Sequence, residues 1–290
     1  MSIPVFQQSC QAGNSSGSFS AATFSSNNGA GNCIIVAVVV QATSGTVTAI
    51  SLSDNNGNMY TALTTLAGGG KTPVYRQTFV ASGISVSPNT QIAITPSATF
   101  GTGALSKFFV LAAEWNNCNT TNAIYASTQA NSIGPATLTS QPANTTAVGI
   151  SLQTNDSNNS GTSGPPTWAY QASGGEGSGV SASIFDSENF AAGTVVYHDG
   201  GTGTSPAQVV LAVLAERTPA PPVVPYSVPD CRNYATFPNN SVSVNGTLTY
   251  TVNAQPSHSA PVDSRAAGAP VASGTYPQNS RTPGTFGPGE

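Results

Sequence analysis

Residues 34–40 read Ile-Ile-Val-Ala-Val-Val-Val, seven apolar residues in succession, six of them β-branched. Successive side chains of a strand point to opposite faces, so a strand without polar alternation has no face to turn to water. Seven residues also fall far short of the ~20 that a membrane-spanning helix needs. The run therefore predicts a short strand buried on both faces.

Short strand patterns recur around it, separated by clusters of Gly, Asn, Ser and Pro. They fall at residues 46–52, 74–80, 91–95, 105–115, 147–153, 167–170, 180–186, 194–198 and 208–214. No segment has a convincing amphipathic helical period. Regular short strands with turn signals between them predict an all-β fold, an antiparallel β-sandwich or jelly roll, rather than a parallel α/β sheet. Asn56-Gly57 reads as a two-residue type I′ hairpin turn, which needs positive φ at both central positions. The sandwich is expected over residues 1–217. Five prolines between 219 and 229 mark an extended linker at 218–230. Residues 231–290 then hold one more hairpin pattern, at 241–252, and an extended C-terminal arm.

Only 6% of the residues are charged, against ~25% in ordinary domains. The net charge is −4, with seven basic residues in the whole chain. Phosphate backbones are bound by clustered Lys and Arg, so a nucleic-acid partner is not expected. Such a surface suits a protein that lives in an assembly or outside a cell. The N-terminus has no basic and apolar signal-peptide pattern, so synthesis in the cytoplasm and release on lysis is the expected route. Membrane association is not expected.

Four cysteines, Cys10, Cys33, Cys118 and Cys231, allow three disulfide connectivities. The expected pairs are Cys10–Cys33 and Cys118–Cys231, with four buried thiols as an equal alternative. No cysteine pair has metal-ligand spacing and both histidines lie far from any cysteine, so neither zinc nor another cofactor is expected.

The search for catalytic patterns yields little. "GGGKT" (68–72) lacks the first Gly of a phosphate loop, and "DNNGN" (54–58) puts its Gly at the wrong position for an EF-hand. No Gly-x-Ser-x-Gly elbow occurs, and His198 and Asp199, as strand neighbours, would face opposite ways. Glu114, Glu176, Asp186 and Glu188 are the acids that could serve a glycosidase pair, for which two must converge within ~10 Å. For Glu114, beside Trp115 at the end of an apolar run, a structural role is the expectation. Trp115, Trp168 and Tyr170 form a candidate platform for stacking on sugar rings. An enzyme is not expected.

The stretch "TVTAISLSDNNGNMYTAL" and the later "FFVLAAEWNN" resemble a β-sandwich domain of bacterial and phage surface proteins. Its hairpin carries Ser53, Asp54, Gly57, Asn58 and Tyr60, and its strand end carries Ala113, Glu114 and Trp115. The resemblance spans about residues 30–215 and brings no catalytic residues with it. The tail repeats Pro-x-Asp/Asn-Ser-Arg, as Pro261 to Arg265 and again as Pro277 to Arg281. It is similar to the ends of some tailed-phage structural proteins. Together the two imply a virion component: a capsid decoration, head-fibre or tail protein. Its partners would be copies of itself, in a homo-oligomer such as the trimers common among phage decorations, and other proteins of the particle. Asp263, Arg265, Asn279 and Arg281 are then the expected subunit contacts, the arginines offering planar forks to carboxylates or carbonyls. A carbohydrate-binding module or adhesin, with surface glycans as partners, is the alternative.

Overall fold

A computed structural model describes residues 2–69, 73–88, 90–131, 134–153, 166–176, 180–198 and 208–217. The linker and arm expected from residue 218 onward lie outside these. The described chain is built of strands without a helix, in four antiparallel sheets.

The first large sheet joins β1 (Val5–Asn14), β3 (Cys33–Ala42), β7 (Val74–Ala81) and β9 (Leu105–Asn116) with the short β5 (Thr61–Ala62) and β6 (Ala67–Gly69). Its order is β1-β9-β3-β7-β5, with β6 also on β7. A small sheet, β2-β8-β4, is made from β2 (Ala22–Thr23), β8 (Ala93–Phe100) and β4 (Val47–Asp54). The second large sheet has the order β10-β16-β12-β14-β13. Its strands are β10 (Ile124–Ala130), β12 (Thr145–Gln153), β13 (Ala169–Gly175), β14 (Ser181–Phe190) and β16 (Gln208–Leu214). The last sheet pairs β11 (Ala136–Gln141) with β15 (Gly193–Tyr197).

Side-chain alternation decides how these sheets stack. Along β3, Ile34, Val36, Val38 and Val40 enter a core shared with Ala22, Val47, Ile50 and Ile94 of the first small sheet. Cys33, Ile35, Ala37 and Val39 enter a different core, shared with Val148, Ile150, Leu152, Ile184 and Val210 of the second large sheet. A third core joins that sheet's outer face, through Ala147, Phe185, Val209, Leu211 and Val213, to Val195 and Tyr197. The result is four layers with both large sheets inside. Residues 33–40 are all 0% exposed, as the unbroken apolar run predicts. Antiparallel sheets commonly leave one face to water; here neither large sheet can.

The antiparallel sandwich architecture expected from the strand pattern is present, and it is doubled. Replacing β1, β9, β3, β7 and β5 by β10, β16, β12, β14 and β13 turns one large-sheet order into the other. The pairing of β2 with β8 is likewise matched by β11 with β15. Two sandwiches of one wiring therefore lie with their large sheets face to face. The stretch between β12 and β13, where β4 would have its counterpart, includes residues 154–165, outside the described set.

The Asn56-Gly57 turn differs from its expected form. Gly57 has φ 73° and Asn56 is not among the residues of positive φ, so the turn is not type I′. Its flanking strands do not pair with each other either: β4 pairs with β8, and β5 with β7. The turn carries the chain from one sheet of the sandwich to the other. The first strand of each half also escaped the pattern reading. β1 is an edge strand whose burial is mostly partial, and its sequence VFQQSCQAGN has too few apolar residues to stand out.

Burial on both faces has a direct test. Ile34→Ala and Ile35→Ala should each lower unfolding free energy by about 2–5 kcal/mol, measured by urea denaturation. A sheet with one wet face would leave one of the two nearly silent.

Candidate functional site

Glu114 and Trp115 are adjacent on β9, so they point to opposite faces of the first large sheet and organise two different places. Glu114 is 1% exposed. Its Oε1 accepts from the Gly29 backbone N at 2.8 Å and Asn32 Nδ2 at 2.7 Å. Its Oε2 accepts from Gln8 Nε2 at 2.7 Å and Asn28 Nδ2 at 2.8 Å. Four N–H donors thus stand in for the water that a carboxylate loses on burial. They draw the β2–β3 loop and β1 onto the end of β9. Asn28 passes the constraint on, its Oδ1 accepting from Ile92 N at 2.8 Å.

Trp115 is 0% exposed and lies in the core between the two sandwiches. Its Nε1 donates to Asp186 Oδ2 at 3.1 Å, across that interface. Gln171 Nε2 donates to Asp186 Oδ1 at 2.7 Å. Phe6 packs edge-on against the indole at 5.9 Å, and its backbone N donates to Glu188 Oε1 at 2.9 Å. Burial pushes the Asp186 carboxyl above the usual carboxylate range, while the Gln171 and Trp115 hydrogen bonds pull it down and Glu188 pushes it up.

Of the candidate acids only Asp186 and Glu188, two residues apart on β14, lie close enough to interact, and Asp186 is fully buried. Glu114 faces the inner core of the first sandwich, and Asp186 faces the joint between the two. Glu176 folds over Gly13, whose position has no room for a Cβ beneath that side chain. Asp199 lies outside the described residues, so the His198–Asp199 pairing has no geometry to report.

The three-residue aromatic platform is not formed, because Trp115 is sealed inside the molecule. Trp168 is half-buried, its Nε1 donating to Val196 O at 3.2 Å and its ring 5.0 Å from Tyr197. Tyr170 alone stands out, at 57% exposure. It packs edge-on against Phe185 at 5.5 Å and borders a groove lined by Ser9, Gln11, Gln171 and Ser173.

The cysteines also depart from the expected pairing. Cys10 belongs to the inner core of the first sandwich and Cys33 to the core between sandwiches, on opposite faces of one sheet, so they cannot pair. Cys118 Sγ lies 2.7 Å from Cys33 Sγ. Cys10, Cys33 and Cys118 are all buried thiols, and Cys231 lies outside the described residues. So do the four arm residues Asp263, Arg265, Asn279 and Arg281. Among the described residues no group of three or more His, Cys, Asp or Glu could hold a metal ion.

Two further groups complete the picture. Asp54 accepts from Asn56 N, Asn58 N, Asn58 Nδ2 and Tyr60 Oη, at 2.8–3.1 Å. Asn58 in turn brackets Ser85 through that residue's N and O. The carboxylate that looked like the start of a calcium loop is the hub of a turn. Arg76, on β7, is 4% exposed, and burial lowers its guanidinium to about 10. Its place in an apolar strand gave no sign of this.

Both carboxylates invite substitution. Glu114→Gln sets an amide N–H2 against two of the four donors and should cost about 2–3 kcal/mol, read from the urea midpoint. A carboxyl with raised folded pKa makes the fold less stable as pH rises through the window that starts near 3.8. Wild type should therefore lose stability relative to Asp186→Asn between pH 3 and 7. Urea midpoints across that range measure the trend, and an opposite slope would contradict it.

Comparison with known proteins finds no family model, no curated protein and no solved structure that matches this chain.

Proposed function

We propose that this chain is a structural component of a virion or similar extracellular assembly: a capsid decoration, head-fibre or tail protein. Residues 2–217 supply a rigid double sandwich, and the segment beyond engages neighbouring subunits, with Arg265 and Arg281 as its anchors. The protein is made in the cytoplasm and reaches the particle or its surroundings on lysis.

The observation that carries this reading is the use made of the two motifs behind the resemblance. Asp54 is saturated by donors from its own turn, and Glu114 by donors from β1 and the β2–β3 loop. Both carboxylates serve as framework acceptors. Their chemistry goes into shape, which is what a building block needs. The 6% charged composition and the repeated polar tail point the same way. A tail that cannot bury its own apolar surface can order itself along a neighbour.

One observation favours the alternative, a carbohydrate-binding module. Tyr170 presents an exposed ring beside a shallow groove of about 340 Å³ whose lining mixes Ser9, Gln11, Gln171 and Ser173 with Leu111 and Ala172, at the lower end of small-ligand sites.

Deletion of residues 255–290 separates the readings. The shortened chain should keep the thermal transition of the sandwiches and lose self-association in sedimentation velocity. Normal assembly of the truncated chain would sink the arm proposal. Glycan binding that survives the truncation and disappears in Tyr170→Ala would establish the alternative.

A further inference from the structure

We propose that Cys33 and Cys118 form an intramolecular disulfide when the chain folds in, or passes into, an oxidising thiol–disulfide environment. The bond would staple the first residue of β3 to the turn that follows β9. This inference stands on the geometry of the first sandwich and does not depend on the assembly reading.

Cys33 pairs with Trp115 in the β3–β9 ladder, and the chain turns back three residues after Trp115 to bring Cys118 alongside. Their sulfurs are 2.7 Å apart although the residues are 85 positions apart in sequence. The gap exceeds a disulfide bond by only about 0.7 Å. Both side chains are 0% exposed, so neither has an outside partner to exchange for the other. Cys118 Sγ also donates to the local carbonyls of Trp115 and Asn116.

The chemistry is an ordinary exchange. One molecule of a small disulfide, such as oxidised glutathione, accepts two electrons and the two thiol hydrogens and leaves as two thiols. The sulfurs of Cys33 and Cys118 join through a mixed-disulfide intermediate. Burial, and next the hydrogen bond with Cys118, push the Cys33 thiol well above its usual range. Its thiolate is therefore scarce in the closed core, and exchange belongs to folding or to local opening. The same burial shields the finished bond from reductants. Cys10 provides an internal control. It lies on the other side of the sheet, and burial, followed by Glu114, pushes its thiol up to about 12; it should remain a thiol.

The staple sits at a junction. Cys118 bridges Glu216, Asn119 N donates to Ala215 O at 2.8 Å, and Arg217 N donates to Asn117 O at 2.6 Å. The turn holding Cys118 thus grips the last described residues of the second sandwich. A bond from Cys33 would fix both the crossing between sandwiches and the point where the chain leaves them.

The test is disulfide mapping on the full-length chain, refolded in a glutathione redox buffer. Free thiols are blocked with N-ethylmaleimide under denaturing conditions before digestion and mass spectrometry. The expected result is a Cys33 peptide linked to a Cys118 peptide, two hydrogens lighter than the sum, with Cys10 as a maleimide adduct. The melting temperature should rise by roughly 10 °C on oxidation, and Cys118→Ser should abolish that rise. Maleimide on both Cys33 and Cys118 after oxidation would overturn the proposal, as would a Cys118–Cys231 link. The mapping needs no variant, so a Cys118→Ser chain that failed to fold would not rescue or weaken it.

Discussion

Everything in this molecule follows from closing both faces of both large sheets. In a sheet with one wet face, a misplaced polar group can turn to solvent. Here β3, β9, β12 and β16 have nowhere to send one, so a polar side chain that enters is costly unless it arrives with its partners. Glu114 comes with four donors and Asp186 with two, from Trp115 and Gln171. These clusters are the points where loops and sandwiches are tied. Apolar contact supplies the driving force without direction; the buried carboxylates add register and orientation.

Much of this was written in the sequence in a form that could be read. An apolar run without alternation means two buried faces, and residues 33–40 obey that. Alternation and turn spacing identified an antiparallel sandwich. Other features were not legible, for physical reasons. β1 and β10 are edge strands with mixed burial, so their patterns are dilute. The Asn56-Gly57 dipeptide carries the same local signal whether its flanking strands pair or part, and only long-range pairing distinguishes the two. The doubling was hidden because it lives in strand order, while the two halves fill their shared wiring with different residues.

The site expectations divide along the same line. Glu114 as a structural residue followed from its position after an apolar run. The aromatic platform failed because residue type does not reveal which face of a strand is covered twice: Trp115 is on β9, a central strand, and is sealed. Tyr170 is on β13, at the edge of its sheet, and is open. For the cysteines, the expected pairing of Cys10 with Cys33 fails because the two lie in cores on opposite sides of one sheet. The turn after β9 brings Cys118 to Cys33 instead.

The strand order carries a consequence for how the chain becomes a protein. In each half the final strand is the one that lies between the first and the third: β9 between β1 and β3, β16 between β10 and β12. Until that strand emerges, the first strand of the half has no ladder to join, and the third is paired on one side alone, β3 with β7 and β12 with β14. Each half is therefore completed through contacts distant in sequence, a topology associated with slow folding. A frameshift before β16 would remove the keystone of the second sandwich and leave β10 and β12 facing one another across an empty lane.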